Sequence, residues 1–446
     1  MRVTSLLTTR TMTRTFLLLF PTLLLGAAAA SAQSTFHGDN ARSGVYASTG
    51  PRQLSGVKWT FHTEGAVVAS PAISAGVIYI GSTDGFMYAI DEATGAQKWK
   101  INPVEPVVSS AAVANGIVYF LGSNGTLYAR IAETGANKWR FSTRGERRFE
   151  ARGLHGLTPA AQTIADPMDL FLSSPAVENG HVVFGSSDGN VYALDAATGI
   201  LQWSFPTGNV VHASPAIANN TVYVGGFDSY LYALDLETGR EKWRFHAGED
   251  PVNHNQVGFQ SSPAVVDGTV YVGCRDGHVY ALNAATGEKT WEYSTSQSWV
   301  NGTPAVHDGV VYVGTADTHR FHALDARTGR LKYVLDAKAM IFGSAAISGN
   351  LAYVGNFAGK LLAIDRAAGT IAWQFRTEGS TRDTLKQLDA DGNPGSTSFA
   401  RTFNNFLDMA LYLYRQFTAG AILSSPVVDQ GMLFFGSADG NVYALH

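Results

Sequence analysis

From about residue 57 to the end of the chain, short runs of β-branched and aromatic residues alternate with turns rich in Gly, Asp, Asn and Thr, and the alternation itself repeats. The stretch Ser262 to Trp291, SPAVVDGTVYVGCRDGHVYALNAATGEKTW, contains the unit. It has four apolar runs: one after Ser-Pro-Ala, one at VYVG, one at VYAL and one centred on the tryptophan. Apolar runs of this kind bounded by turn formers read as strands. Near copies begin at Ser70, Ser110, Ser174, Ser214, Thr303, Ser344 and Ser425, making eight in all. A fixed period of this length predicts a solenoid, a propeller or an array.

The turns decide how the strands run. Asp84-Gly85, Asn124-Gly125, Asp188-Gly189, Asp276-Gly277 and Asp439-Gly440 join the second run to the third. Such pairs tolerate the positive φ of a tight hairpin, so consecutive strands are expected to be antiparallel. The third and fourth runs are joined by an Asp-x-x-Thr-Gly turn followed by an aromatic, at Trp99, Trp139, Trp203, Trp243, Trp291, Tyr333 and Trp373. That is seven aromatics for eight units. The last unit ends at His446 after its third run, while Trp59 stands on an orphan fourth run, VKWTF, at the other end. If the N-terminal strand completes the last unit, the array closes and neither sheet edge is left exposed. The expected fold is therefore all-β: an eight-bladed β-propeller of four-stranded antiparallel blades over residues 56–446, closed by its N-terminal strand.

The recurring Asp-x-x-Thr-Gly-x-x-x-Trp pattern with its following Ser-Pro-Ala-Val strand closely resembles the PQQ-type propeller repeat, shared by quinoprotein alcohol dehydrogenases and by the assembly factor BamB. The resemblance covers about residues 57 to 446. Ile131 and Asn283 replace the aspartate, Tyr333 the tryptophan and Ala368 the threonine. It implies two functions of different kinds. A BamB-like protein is an exported scaffold that binds partners. A quinoprotein dehydrogenase holds PQQ and calcium in the funnel of the propeller, against a tryptophan and a vicinal disulfide with an aspartate base nearby. Trp299 and Asn301 suit that site, but Cys274 is the only cysteine and no aspartate can be assigned as base. No catalytic residue is assigned, and a binding or scaffold protein is the expected function, with a PQQ-dependent oxidoreductase as the alternative.

Composition adds location. Arg2, Arg10 and Arg14, the apolar run Phe16 to Leu25 and the small residues Ala30-Ser31-Ala32 have the layout of a secretory signal peptide, which predicts cleavage near Ala32 and a periplasmic or secreted protein. Residues 33–55 form a polar lead-in. Losing the three arginines takes the formal charge from −4 to −7, which offers no basic footprint for nucleic acid. The apolar run is too short to span a bilayer, so no membrane span is expected, and a monomer is expected.

The repeat also serves as a ruler. Unit starts advance by 40 or 41 residues except for steps of 64, 48 and 81, which places insertions at about 143–169, 248–258 and 379–421. All three connect a fourth strand to the next first strand, on one face of the disc, which becomes the expected binding face for a protein partner or small ligand. The first carries Arg144, Arg147, Arg148, Arg152 and His155, residue types that bind carboxylate or phosphate, interleaved with Glu146 and Glu150. In the third, Asp389, Asp391 and Asn393 have the odd-position spacing of a calcium loop without its later ligands. After it, apolar residues from Phe399 to Phe417 predict one amphipathic helix over about 399–417, capped by Ser398, with its aromatic side on the propeller. Two residues before each unit's Ser or Thr stand Val68, Val108, Leu172, His212, Gln260, Asn301, Phe342 and Leu423. Only His212, Gln260 and Asn301 are polar, and with Trp299 they form the candidate ligand arc at the channel mouth.

Overall fold

The computed structural model describes residues 1, 34–154, 162–248, 258–395 and 405–446. Their strands form eight four-stranded sheets and one two-stranded hairpin. Blade 1 comprises Ala72–Ser74, Val77–Gly81, Met87–Asp91 and Gln97–Ile101, each antiparallel to the next. Its second strand and nearly all of its third are buried, because neighbouring blades cover both faces of the sheet. The fourth strand, QKWKI, is exposed or half-buried at every position. This is why the inner runs read as continuously apolar and only the outer run carries charge.

Closure follows the expected route. Val57–His62 pairs antiparallel with Asn441–Leu445, and completes the sheet with Val427–Asp429 and Met432–Gly436. The repeat aromatics lock each blade to the next. The indole N–H of Trp59 donates to the Glu92 carbonyl of blade 1 at 2.9 Å, and Trp99, Trp139, Trp203, Trp243 and Trp291 do the same to the following blade at 2.8–3.0 Å. The turn glycine lets the indole in: a Cβ on Gly199 would lie 2.6 Å from the Trp139 ring, at a φ of +75° that disfavours any side chain. The serine that opens each unit also has a cause. Ser70 N–H donates to Ser110 Oγ, Ser110 to Ser174, Ser174 to Ser214 and Ser214 to Ser262, and the chain of bonds resumes from Thr303 through Ser344 and Ser425 back to Ser70, at 2.8–2.9 Å. Hydroxyls therefore satisfy backbone groups that the narrow centre of the disc shields from water.

The lead-in does more than cover the body. Backbone N–H groups of Val113, Ile217, Val265, Val306 and Ile347, on the innermost strands of five blades, donate to the carbonyls of Ser34, Asn40, Ala41, Ser43 and Gly44. The segment thus takes up the free edges of the inner strands. Arg42 is fully buried at its centre and donates to the carbonyls of Phe36, Ser174, Pro175 and Pro215 and to Thr35 Oγ1. Further on, the Pro51 carbonyl accepts the Trp373 indole, in the role that each following blade plays elsewhere.

The helix in the third insertion departs from the expected one. It runs Phe406–Thr418, with Asn405 as its N-cap; Ser398, Phe399 and Phe403 lie outside the described residues. Its buried face is Met409, Tyr412, Leu413 and Gln416, whereas Phe406, Leu407, Leu411 and Tyr414 are exposed, so of the aromatics expected on the docked side and described, only Phe417 packs on the propeller. Both sides of this helix are apolar, and hydrophobic spacing alone could not choose between them. The choice is made by fit: Met409, Tyr412 and Leu413 pack with Met168, Trp299, Met340 and Phe342 above the inner strands, where the Tyr412 hydroxyl meets the Met340 sulfur at 3.4 Å.

Candidate functional site

All eight side chains two positions before the ring Ser or Thr line one central cavity of about 40 Å³, together with the ring hydroxyls and Phe36 of the lead-in. A space of that size admits a few waters. Among the described residues, neither atom of the Asn301 amide nor the Gln260 carbonyl oxygen has a protein partner.

Above this channel the first insertion is docked on the polar arc. Its turn Asp166-Pro167-Met168-Asp169 brings two carboxylates down onto blades 4 and 5. Asp169 Oδ1 accepts from His212 Nδ1 at 2.8 Å and from Gln260 Nε2 at 3.4 Å, and its Oδ2 accepts the Phe149 N–H at 2.7 Å. Asp166 accepts from Arg275 Nη2 at 2.6 Å, with both side chains fully buried. The Arg275 guanidinium lies over the Trp299 ring, 4.1 Å from its centroid, and over Phe227 at 5.2 Å. From the start of the same insertion Glu146 turns inward. It accepts from Ser186 Oγ at 2.7 Å, from the Ser187 N–H at 2.8 Å and from the Ser187 hydroxyl, which also meets His212 Nε2 at 2.6 Å.

The order Ser187, His212, Asp169 matches a nucleophilic relay in its distances alone. Ser187 is fully buried, its hydroxyl proton goes to Glu146, and it does not line the cavity that lies beside His212. The arrangement is instead a proton-sharing chain from Asp169 through His212 and Ser187 to Glu146. Burial by itself lowers the pKa of His212, and Arg147 acts in the same direction. Asp169, through charge and hydrogen bond, and Glu146 outweigh them and raise it. Burial raises that of Glu146, with His212 and the two serines opposing.

The stability consequence has a definite sign. His212 binds its proton more tightly in the folded protein than in the unfolded chain, so its contribution is complete below pH 6.5 and disappears as pH rises through the folded pKa. The stability advantage of the native protein over His212→Gln is therefore expected to shrink on going from pH 6 to pH 9 in urea melts. An advantage that stays flat or grows would show that His212 is held neutral.

The remaining candidate residues fall into separate places. Arg148 joins His212 on the wall of a second cavity, described below. Arg144 is exposed, and its backbone N–H is engaged by Asp188. Arg152 sits exposed on the small hairpin Glu150–Arg152 with Thr163–Ala165, and His155 lies outside the described residues. In the Asp389 to Asn393 loop, Asp389 Oδ1 accepts the Asn393 N–H and the Lys360 ammonium bonds Asn393 Oδ1 at 2.7 Å. Among the described residues, no group of three or more His, Cys, Asp or Glu is placed to hold a metal ion. Sequence reasoning missed Glu146, Asp166, Asp169, Ser187 and Arg275. The available signal was two aspartates at the end of an insertion that leads directly into the polar arc.

The first and third insertions meet over the channel. Met168 and Leu170 of the first pack with Met409, Tyr412 and Phe417 of the third and with Val68, Phe342 and Leu423 beneath, forming a second small core on top of the disc. Beside it lies a cavity of about 320 Å³. Its walls are Val68, Thr83, Pro106, Val108, Ser123, Glu146, Arg147, Arg148, Asp169 to Leu172, His212 and Phe417. The residues present do not fit PQQ with calcium. The face of Trp299 is taken by Arg275, Asn301 lines the narrow 40 Å³ channel, and Cys274 is buried and has no second cysteine to pair with.

Fold and site together define an eight-bladed propeller of PQQ-type repeats whose channel mouth is roofed by its own insertions. A sequence model of the family described as outer membrane protein assembly factor BamB matches residues 46–169, 155–298 and 252–446, and the chain belongs to that family. Among solved structures it is similar to BamB from Moraxella catarrhalis, at 17% identity and TM-score 0.62 over 88% of this chain and 97% of that one. It is likewise similar to a europium-containing methanol dehydrogenase, at 14% and 0.67 over 93% and 98%. A third is the quinohemoprotein alcohol dehydrogenase from Comamonas testosteroni, at 15% and 0.64 over 93% and 80%. No curated protein sequence matches. Among the described residues no helix is long and apolar enough to cross a membrane.

Proposed function

We propose that this chain is an exported binding protein of the periplasm or extracellular space, and that its working surface is the face bearing the insertions. The observation that carries the reading is the cavity of about 320 Å³ at the channel mouth. It falls in the size range of small-molecule sites, is apolar over most of its wall and polar on one side. The insertions that build it are additions to the repeat, and loops carried on a rigid scaffold commonly hold the binding residues. Export rests on the charge, apolar run and small residues of the N-terminal segment. Likeness to both BamB and the dehydrogenases supports the scaffold and the enzyme equally as folds. Packing of Met168, Met409 and Tyr412 over the channel, where a flat cofactor needs a slot, favours the scaffold.

The test is a titration of the purified protein with PQQ and Ca²⁺, followed by the absorbance of bound quinone and by alcohol-dependent dye reduction. Alongside it, a thermal-shift screen surveys small molecules with Val108→Trp as a filled-cavity control. No quinone spectrum is expected, and stabilising compounds should lose their effect on the variant. Dye reduction with bound PQQ would overturn the binding-protein reading.

A further inference from the structure

Resting on that reading, we infer that the cavity takes a small amphipathic carboxylate, with its apolar body on Val68, Val108, Phe171 and Leu172 and its acid group held by Arg147 and Arg148. Of the polar groups on the wall, Glu146, Asp169 and His212 are already engaged. Glu146 already accepts from Ser186 and twice from Ser187, and Asp169 accepts from Phe149, His212 and Gln260. Both nitrogens of His212 are engaged, by Asp169 and by Ser187. This wall has spent its hydrogen bonds on holding the first insertion in place. It offers a ligand little beyond a surface.

The two arginines are different. Both line the cavity and both are exposed. Arg147 pairs with Glu150 at 3.7 Å between two half-exposed side chains, and such a surface pair is weak and easily exchanged. Arg148 makes no ion pair among the described residues. A planar guanidinium with free N–H groups matches the two oxygens of a carboxylate, and this match is stronger beside an apolar wall that keeps water away. The two carboxylates behind, Glu146 and Asp169, both face the buried His212, at 3.9 and 2.8 Å, and not the rim where the guanidinium groups lie.

Next to the cavity the channel narrows to about 40 Å³ and is lined in part by Phe36 of the lead-in, which is pinned to the inner strands. A ligand's apolar end therefore lies toward the channel and its charged end at the arginines.

The experiment uses the mature full chain and matched probes: octanoate and hydrocinnamate, each compared with its uncharged amide and with the corresponding amine, by calorimetry. Both carboxylates are expected to bind, with their amides at least about tenfold weaker and the amines weaker still. In Arg147→Gln/Arg148→Gln the carboxylates should fall to the affinity of the amides, and Val108→Trp should abolish binding of all three. Amides that bind as well as the carboxylates, unaffected by the arginine exchange, would overturn the anionic class while leaving the cavity as a binding site. Failure of every probe on the native protein would overturn the site together with the inference.

Discussion

Arg275→Leu is expected to destabilise the protein by about 3–5 kcal/mol, the cost of breaking a buried ion pair by removing one partner. Asp166 has no exposed surface, and its bond to Arg275 at 2.6 Å is a charge-assisted contact made deep beneath the first insertion. The arginine has been desolvated at considerable cost, since its Nε and Nη1 have no protein acceptor and its stabilisation comes from Asp166 and from the faces of Trp299 and Phe227. An ion pair in that position is sensitive to the loss of either partner and tolerant of the loss of both. Asp166→Asn should therefore cost a similar amount, and the double variant Asp166→Leu/Arg275→Leu distinctly less than the sum of the two. Urea unfolding of all four proteins checks this. A single-variant loss below about 1 kcal/mol, or strict additivity, would mean that the pair does not hold the insertion.

Arg42→Ala is expected to cost about 2–4 kcal/mol, although Arg42 lies in a segment that precedes the first blade. Its guanidinium satisfies carbonyls from the lead-in and from two blades at the centre of the disc, and unpaired buried acceptors each cost about 1–3 kcal/mol before water re-enters. Burial lowers its pKa to about 10, which still leaves it charged at neutral pH. Arg42→Lys should recover only part of the loss, because one ammonium cannot span the carbonyls that a planar fork reaches. The readout that separates this from general damage is hydrogen exchange at Val113, Ile217, Val265, Val306 and Ile347. These amides should lose protection together if Arg42 is the pin that holds the lead-in against the inner strands. Unchanged protection would place the effect elsewhere.

The extent to which the chain announces its own structure differs between scaffold and site. Strand order, blade number and the reciprocal closure through Trp59 are legible because they rest on local chemistry repeated eight times. The Asp-Gly turns, the glycine under each indole and the opening serines each have one job that recurs at a fixed interval. Even the channel lining is legible, since aligned positions in a closed ring face the same axis. The helix Phe406–Thr418 is the first place where this fails, for a helix with two apolar sides does not say which one it will bury.

The site lay beyond reach for a related reason. Glu146 stands among arginines in the sequence and reads as their partner, yet it turns inward to Ser186, Ser187 and His212. Asp169 meets His212 across 43 residues and Asp166 meets Arg275 across 109, and no repeat register relates those positions. By itself the sequence determined whatever depends on neighbours along the chain and on the period: the blades, their number and their closure. Only the tertiary structure decided how unique, non-repeating segments fold back onto that disc. Their contacts are set by shape and charge across distant blades, for which a single chain written in order carries no spacing rule.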